Sequence, residues 1–103
     1  MKTATFTKYV YIRGKSFALY ALSEPVMTDG FGDPLRGEFK AGCKFVLSST
    51  TDAFGYYETA LFPCKADGSD FDLRELCATR HDDGEYVDAD LFGSLGYEIV
   101  VEG

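Results

Sequence analysis

Hydrophobic and polar residues alternate over residues 3–12. Ala4, Phe6, Val10 and Ile12 fall on one side, interrupted by Lys8, and Thr3, Thr5, Thr7, Tyr9 and Tyr11 fall on the other. A period of two built from β-branched and aromatic residues predicts a strand. Arg13-Gly14-Lys15 then supplies a turn, because glycine tolerates positive φ. Residues 16–22 continue as a second strand, with Phe17, Leu19 and Ala21 opposite Ala18, Tyr20 and Leu22. The two read as a hairpin. Residues 24–37 break every pattern with Pro25, Gly30, Gly32, Pro34 and Gly37, which predicts a long loop. Residues 38–48 restore the alternation. Phe39, Ala41, Cys43, Phe45 and Leu47 form one face and Glu38, Lys40 and Lys44 the other, as in a half-buried antiparallel strand. Residues 48–55 are polar, end at a glycine and read as a hairpin loop. Residues 56–62 form a fourth strand, closed by Pro63, which has no N–H to give a ladder.

Asp67-Gly68-Ser69 is a turn, and two periods compete after it. Ser69 with Asp72 resembles a capping box, with Asp in place of Glu or Gln, and Leu73, Leu76 and Cys77 share a helical face. Leu73, Glu75, Cys77 and Thr79 also alternate with Arg74, Leu76, Ala78 and Arg80. The alternation favours a strand, and a helix stays open for residues 70–80. His81-Asp82-Asp83-Gly84 is a second turn. Asp88 can cap one helical turn through Phe92, ended by Gly93, and residues 97–101 form a last strand with Tyr97, Ile99 and Val101 together. The chain shows no repeat, low-complexity tract or linker. The expectation is one mainly β domain over residues 1–103, with an antiparallel sheet of five to six strands arranged as a sandwich, a small barrel or a sheet with one short helix.

A length of 103 residues fits one domain, and its 9 Phe and 7 Tyr argue against disorder. No run approaches the roughly 20 apolar residues of a membrane span. Met1-Lys2-Thr3-Ala4-Thr5-Phe6 lacks the apolar core of a signal peptide, so a cytoplasmic address is expected. Cys43, Cys64 and Cys77, odd in number and widely spaced, do not form a disulfide framework and fit a reducing compartment.

The net charge of −7 hides a split. Residues 1–51 hold seven basic against four acidic residues, a balance of +3, and residues 52–103 hold three against thirteen, a balance of −10. An acidic field repels nucleic-acid phosphate and attracts basic protein surfaces, so direct nucleic-acid binding is not expected. Asp67, Asp70, Asp72, Glu75, Asp82, Asp83, Glu85, Asp88 and Asp90 crowd one stretch of sequence. One reading is a solvated surface that keeps a small protein soluble. The other is a recognition surface for a basic partner, such as a protein groove that normally holds nucleic acid, where carboxylates stand in for phosphates and steer association. Phe31, between two glycines, is the aromatic expected to be exposed and joins the acidic residues as a candidate contact.

Other chemistry finds little footing. Cys43, Cys64, Cys77 and His81 could ligate zinc, but structural zinc sites use ligand pairs two to four residues apart, and only Cys77 and His81 are close. Cys43, in an apolar row, reads as a small hydrophobe. Cys77 and His81 could meet as a nucleophile and base only if residues 73–81 are helical, and Asp82 and Asp83 would then raise the thiol pKa. No nucleophile elbow or phosphate-cradling loop occurs, and Asp29-Gly30-Phe31-Gly32-Asp33 matches neither a calcium loop nor a dinucleotide fingerprint. The expectation is no enzyme, no metal and no cofactor.

Tyr57-Glu58-Thr59-Ala60-Leu61-Phe62-Pro63-Cys64, followed by Asp67-Gly68 and Leu73-Arg74-Glu75-Leu76, looks like small uncharacterised proteins carried by phages and mobile elements. The likeness covers about a third of the chain and carries over no functional residue. Small acidic phage proteins include inhibitors of bacterial defence, such as anti-CRISPR and anti-restriction proteins, and the chain is similar to them in size and charge. That likeness, taken with the charge split and the absence of a catalytic motif, leads to the expectation of an inhibitor acting in the bacterial cytoplasm, which docks its acidic half on a basic surface of a nucleic-acid-handling complex. The alternative is a structural or assembly protein, a virion component or homo-oligomer, that associates through edge strands and exposed tyrosines.

Overall fold

The computed structural model describes residues 1–37, 40–53, 56–73, 75–81 and 87–101. The chain runs β1 (Lys2–Ile12), β2 (Lys15–Val26), β3 (Cys43–Ala53), β4 (Tyr56–Pro63), β5 (Cys77–His81), α1 (Val87–Ser94) and β6 (Tyr97–Val100). The six strands form one sheet in the order β5-β4-β3-β2-β1-β6, curled into a half-barrel with the short helix α1 packed on it. Neighbours β1 to β5 pair antiparallel. β6 instead lies parallel to β1, with Lys2 opposite Tyr97 and Thr5 opposite Val100. A parallel partner needs a crossover, and here the crossover carries the chain from the β5 edge to the β6 edge by way of α1.

Alternation along the strands builds two cores, one on each face of the sheet. On the helix face, Tyr20, Leu22, Val46, Leu61 and Cys77 meet Leu91 and Phe92 of α1. Phe92 is 1% exposed, and its ring meets Tyr20 edge-on at 4.7 Å. Burying a side chain of this kind stabilises the fold by about 1.5–3 kcal/mol. On the other face, Phe17, Leu19, Leu47 and Cys64 cluster with Phe71, which lies in the loop of residues 64–76. That loop is tied down by backbone bonds from Asp72 N–H to the Pro63 carbonyl and from Leu76 N–H to the Leu61 carbonyl. Gly68 adopts φ +83°, and a Cβ there would stand 2.9 Å from Val10. The turn can therefore press onto β1 only as glycine.

β1 serves both cores. Phe6 pairs with Tyr20 but Lys8 pairs with Leu19, so a bulge at Thr7 inserts one residue and exchanges the faces. Ala4 and Phe6 point to the helix face, whereas Val10 and Ile12 join Phe17 and Leu19. The even-numbered residues of β1 are thus not one row, and Lys8 is where the row changes sides. A second irregularity, between Ala21 and Val26 on β2, puts Cys43 in the helix-side core while Phe45 and Leu47 face the other way.

Other expectations shift at their boundaries. β2 continues through Pro25 to Val26. β3 begins at Cys43 rather than 38, and of the earlier residues of that expected strand Glu38 and Phe39 lie outside the described residues. The polar residues expected to form a loop after Ser48 stay in β3 and pair with β4 as far as Ala53 opposite Tyr56. The open choice over residues 70–80 resolves into a fixed loop followed by the five-residue strand β5. α1 is longer than the one turn expected, and Asp88 and Asp90 lie in its first turn, where the helix dipole favours carboxylates. Both outer strands, β5 and β6, are short, which limits edge-to-edge pairing. No described helix is long and apolar enough to cross a membrane.

Candidate protein-binding site

The proline- and glycine-rich segment after β2 is a folded loop. Asp29, 7% exposed, organises it: its Oδ1 accepts the backbone N–H of Phe31 at 2.8 Å and of Asp33 at 2.9 Å. Its own N–H donates to the Asp33 carbonyl and its carbonyl accepts from Gly32, and Thr28 bridges to Pro34. Aspartate is suited to this local capping of its own turn. Gly30 then seats the loop against the start of β5, since a Cβ on it would lie 2.1 Å from the Leu76 carbonyl oxygen and 2.5 Å from Cys77 Cβ. The outcome is that Phe31 stands 85% exposed on a loop fixed on both sides.

Beside Phe31 runs a cleft of about 300 Å³ between this loop, β5 and α1, whose lining includes Cys77, Thr79, Asp90, Leu91 and Ser94. Phe31 and Asp90, far apart in sequence, therefore meet at one site. Exposed Glu75 lies two residues before Cys77. The other carboxylates are elsewhere. Asp67, Asp70 and Asp72 belong to the loop on the opposite face of the sheet. There the Ser69 hydroxyl and N–H hold the Asp67 carboxyl below the usual range, and Asp70 pairs with Lys65 at 2.9 Å. Asp88 turns inward, accepting the Tyr20 hydroxyl at 2.8 Å and the Ser48 hydroxyl on its other oxygen. Burial and this carboxylate together push the Tyr20 phenol up. Asp82, Asp83 and Glu85 lie outside the described residues.

The cysteines are free and buried. Burial pushes Cys43 up to about 11 and Cys64 up to about 12. It also raises Cys77, against the hydrogen bond from Ser94. A thiol held protonated is a poor nucleophile. Cys77 and His81 stand at the two ends of one strand, which at about 3.3 Å per residue separates their backbones by roughly 13 Å. The arrangement that would pair them, a helix, is not the one formed. Among the described residues, no three of His, Cys, Asp and Glu come together as a metal site.

A second concavity, of about 420 Å³, lies at the β1–β2 turn and is lined by Ile12, Arg13, Lys15, Phe17, Phe71 and Leu73. Sequence reasoning did not point to it, because Phe71 and Leu73 reach the hairpin only through the loop that crosses the sheet. No family model matches the chain, and no curated protein or solved structure shows significant similarity to it.

Proposed function

We propose that this chain is a small acidic protein-binding module, an inhibitor of phage or mobile-element type that acts in the bacterial cytoplasm. It docks on a basic surface of a nucleic-acid-handling defence complex. The observation that carries this reading is Phe31. A fold that hides a phenylalanine gains about 1.5–3 kcal/mol. Here the Asp29 turn and the Gly30 contact hold the ring in water instead. Exposed aromatic anchors flanked by polar residues are the usual carriers of interface energy. Asp90 at the rim of the same cleft adds the sign of charge that a basic partner requires, and the net charge of −7 steers the encounter. The contact surface in this reading is the Phe31 corner rather than the whole acidic stretch, since Asp67, Asp70 and Asp72 face the other way and Asp88 serves the fold.

The test is affinity capture of the tagged protein from bacterial lysate at low and high salt, repeated with Phe31→Ala and Asp90→Lys. The expected result is one basic nucleic-acid-handling partner, competed off by its own nucleic acid and lost at high salt. Each variant should reduce retention by about tenfold or more. A partner retained equally by both variants would overturn the reading. Self-association alone in sedimentation would favour an assembly role.

A further inference from the structure

The concavity at the β1–β2 turn has the composition of a ligand site. Its volume of about 420 Å³ falls within the range of small-molecule pockets. Its floor is aromatic: Phe17 and Phe71 lie 6.0 Å apart with their rings tilted by 39°, and Ile12 closes one side. Leu73 stands at the rim, 79% exposed. Two cations, Arg13 and Lys15, line the same groove. In a chain of net charge −7, neither is in ion-pair contact with a carboxylate among the described residues.

The turn itself supplies an independent observation. Ile12 pairs with Lys15, leaving Arg13 and Gly14 as a two-residue turn with φ of 51° and 80°. Turns with positive φ at both positions favour Asn, Asp or Gly first, and an arginine is strained in the left-handed region. Asparagine would make a better turn. The arginine instead brings a guanidinium, a carboxylate-matching fork, to the lining of the groove. Strain of this kind is characteristic of functional positions.

We propose that this groove binds a small organic anion with a flat apolar body, its acidic group held by Arg13 and Lys15 and its body seated on Phe17 and Phe71. The test is an NMR titration of the full chain with 2-naphthoate and with its neutral counterpart 2-naphthamide. The acid should bind with a dissociation constant below about 1 mM and shift the amide signals of Arg13, Gly14, Lys15 and Leu73. The amide should bind about tenfold more weakly or worse. An Arg13→Asn/Lys15→Gln variant should keep its fold, with a thermal midpoint equal to or above the parent, and lose affinity for the acid by about tenfold. Equal binding of acid and amide, full affinity in the double variant, or absence of shifts at the turn would each overturn the proposal. These readouts do not involve Phe31, so failure here leaves the protein-binding reading intact, and the reverse.

Discussion

Replacing Asp88 by alanine removes the acceptor of two hydroxyls, Tyr20 and Ser48, that lie on adjacent strands beneath α1. Both donors are buried, Tyr20 at 6% exposure and Ser48 at 5%. Hydrogen bonds to a charged group contribute about 1.5–3 kcal/mol each, and a buried hydroxyl left without a partner adds its desolvation cost. Asp88 is half-buried, so the lower end applies, and the loss expected for Asp88→Ala is about 3 kcal/mol. That is a large part of the 5–15 kcal/mol typical of a domain. It should lower the thermal midpoint by roughly 10–20 °C. The informative comparison is the triple variant Tyr20→Phe/Ser48→Ala/Asp88→Ala, which deletes the donors with the acceptor. Because no buried hydroxyl is then stranded, it should be more stable than Asp88→Ala alone. Urea unfolding followed by circular dichroism measures both, with an unchanged m-value expected. A loss below about 1 kcal/mol, or a triple variant no better than the single one, would mean that water already serves these hydroxyls.

Gly30→Ala should destabilise the chain by more than about 1 kcal/mol, seen in urea unfolding, because its methyl meets backbone and not a movable side chain. Phe31→Ala should leave the unfolding midpoint within about 0.5 kcal/mol of the parent while reducing capture of the partner. Gly93→Ala should stabilise the chain by about 0.5–1 kcal/mol in the same assay, since the position is helical and a methyl there meets no neighbour within 4 Å. Alkaline pH should unfold the protein. The thiols of Cys43 and Cys64 ionise near 9.0 when free but near 11 and 12 when folded. The unfolded chain therefore releases protons first, and the stability present below pH 9 is lost progressively as pH rises towards 11. Thermal midpoints measured from pH 8 to 11 check this, and a flat profile would contradict it.

Much of the sheet was legible because its strands carry their period locally. The β1–β2 hairpin, the core of β3, β4 and the end strand all follow from alternation and turn residues. The misreadings have physical causes. A bulge adds one residue without any composition of its own, so the exchange of faces at Thr7 could be noticed only as the intrusion of Lys8. Ser48, Ser49, Thr50 and Thr51 look like a loop by polarity but pair as a strand because β4 lies alongside. The parallel placement of β6 depends on the path of the crossover, which no local pattern encodes. At the candidate site, Gly-Phe-Gly announced an exposed ring. Its meeting with Asp90, and the inward turn of Asp88 from the same helix, required the geometry. Acidic residues adjacent in sequence were dispersed because the loop and the helix lie on opposite faces.

The pairing of Lys2 with Tyr97 has a consequence for how the molecule is made. β1 is synthesised well before β6, yet the outer edge of its residues Lys2–Thr5 is paired only by Tyr97–Val100. During synthesis at about 5–20 residues per second, the β1–β2 hairpin emerges with the outer edge of Lys2–Thr5 still without its β6 partner. It stays open for several seconds. Closing it joins residues as far apart in sequence as Lys2 and Tyr97, a long-range contact of the slow-forming sort. The nascent chain therefore passes through a window in which β1 can pair with a neighbouring copy, and the three threonines and two lysines spaced along that strand keep the exposed edge soluble until β6 is in place.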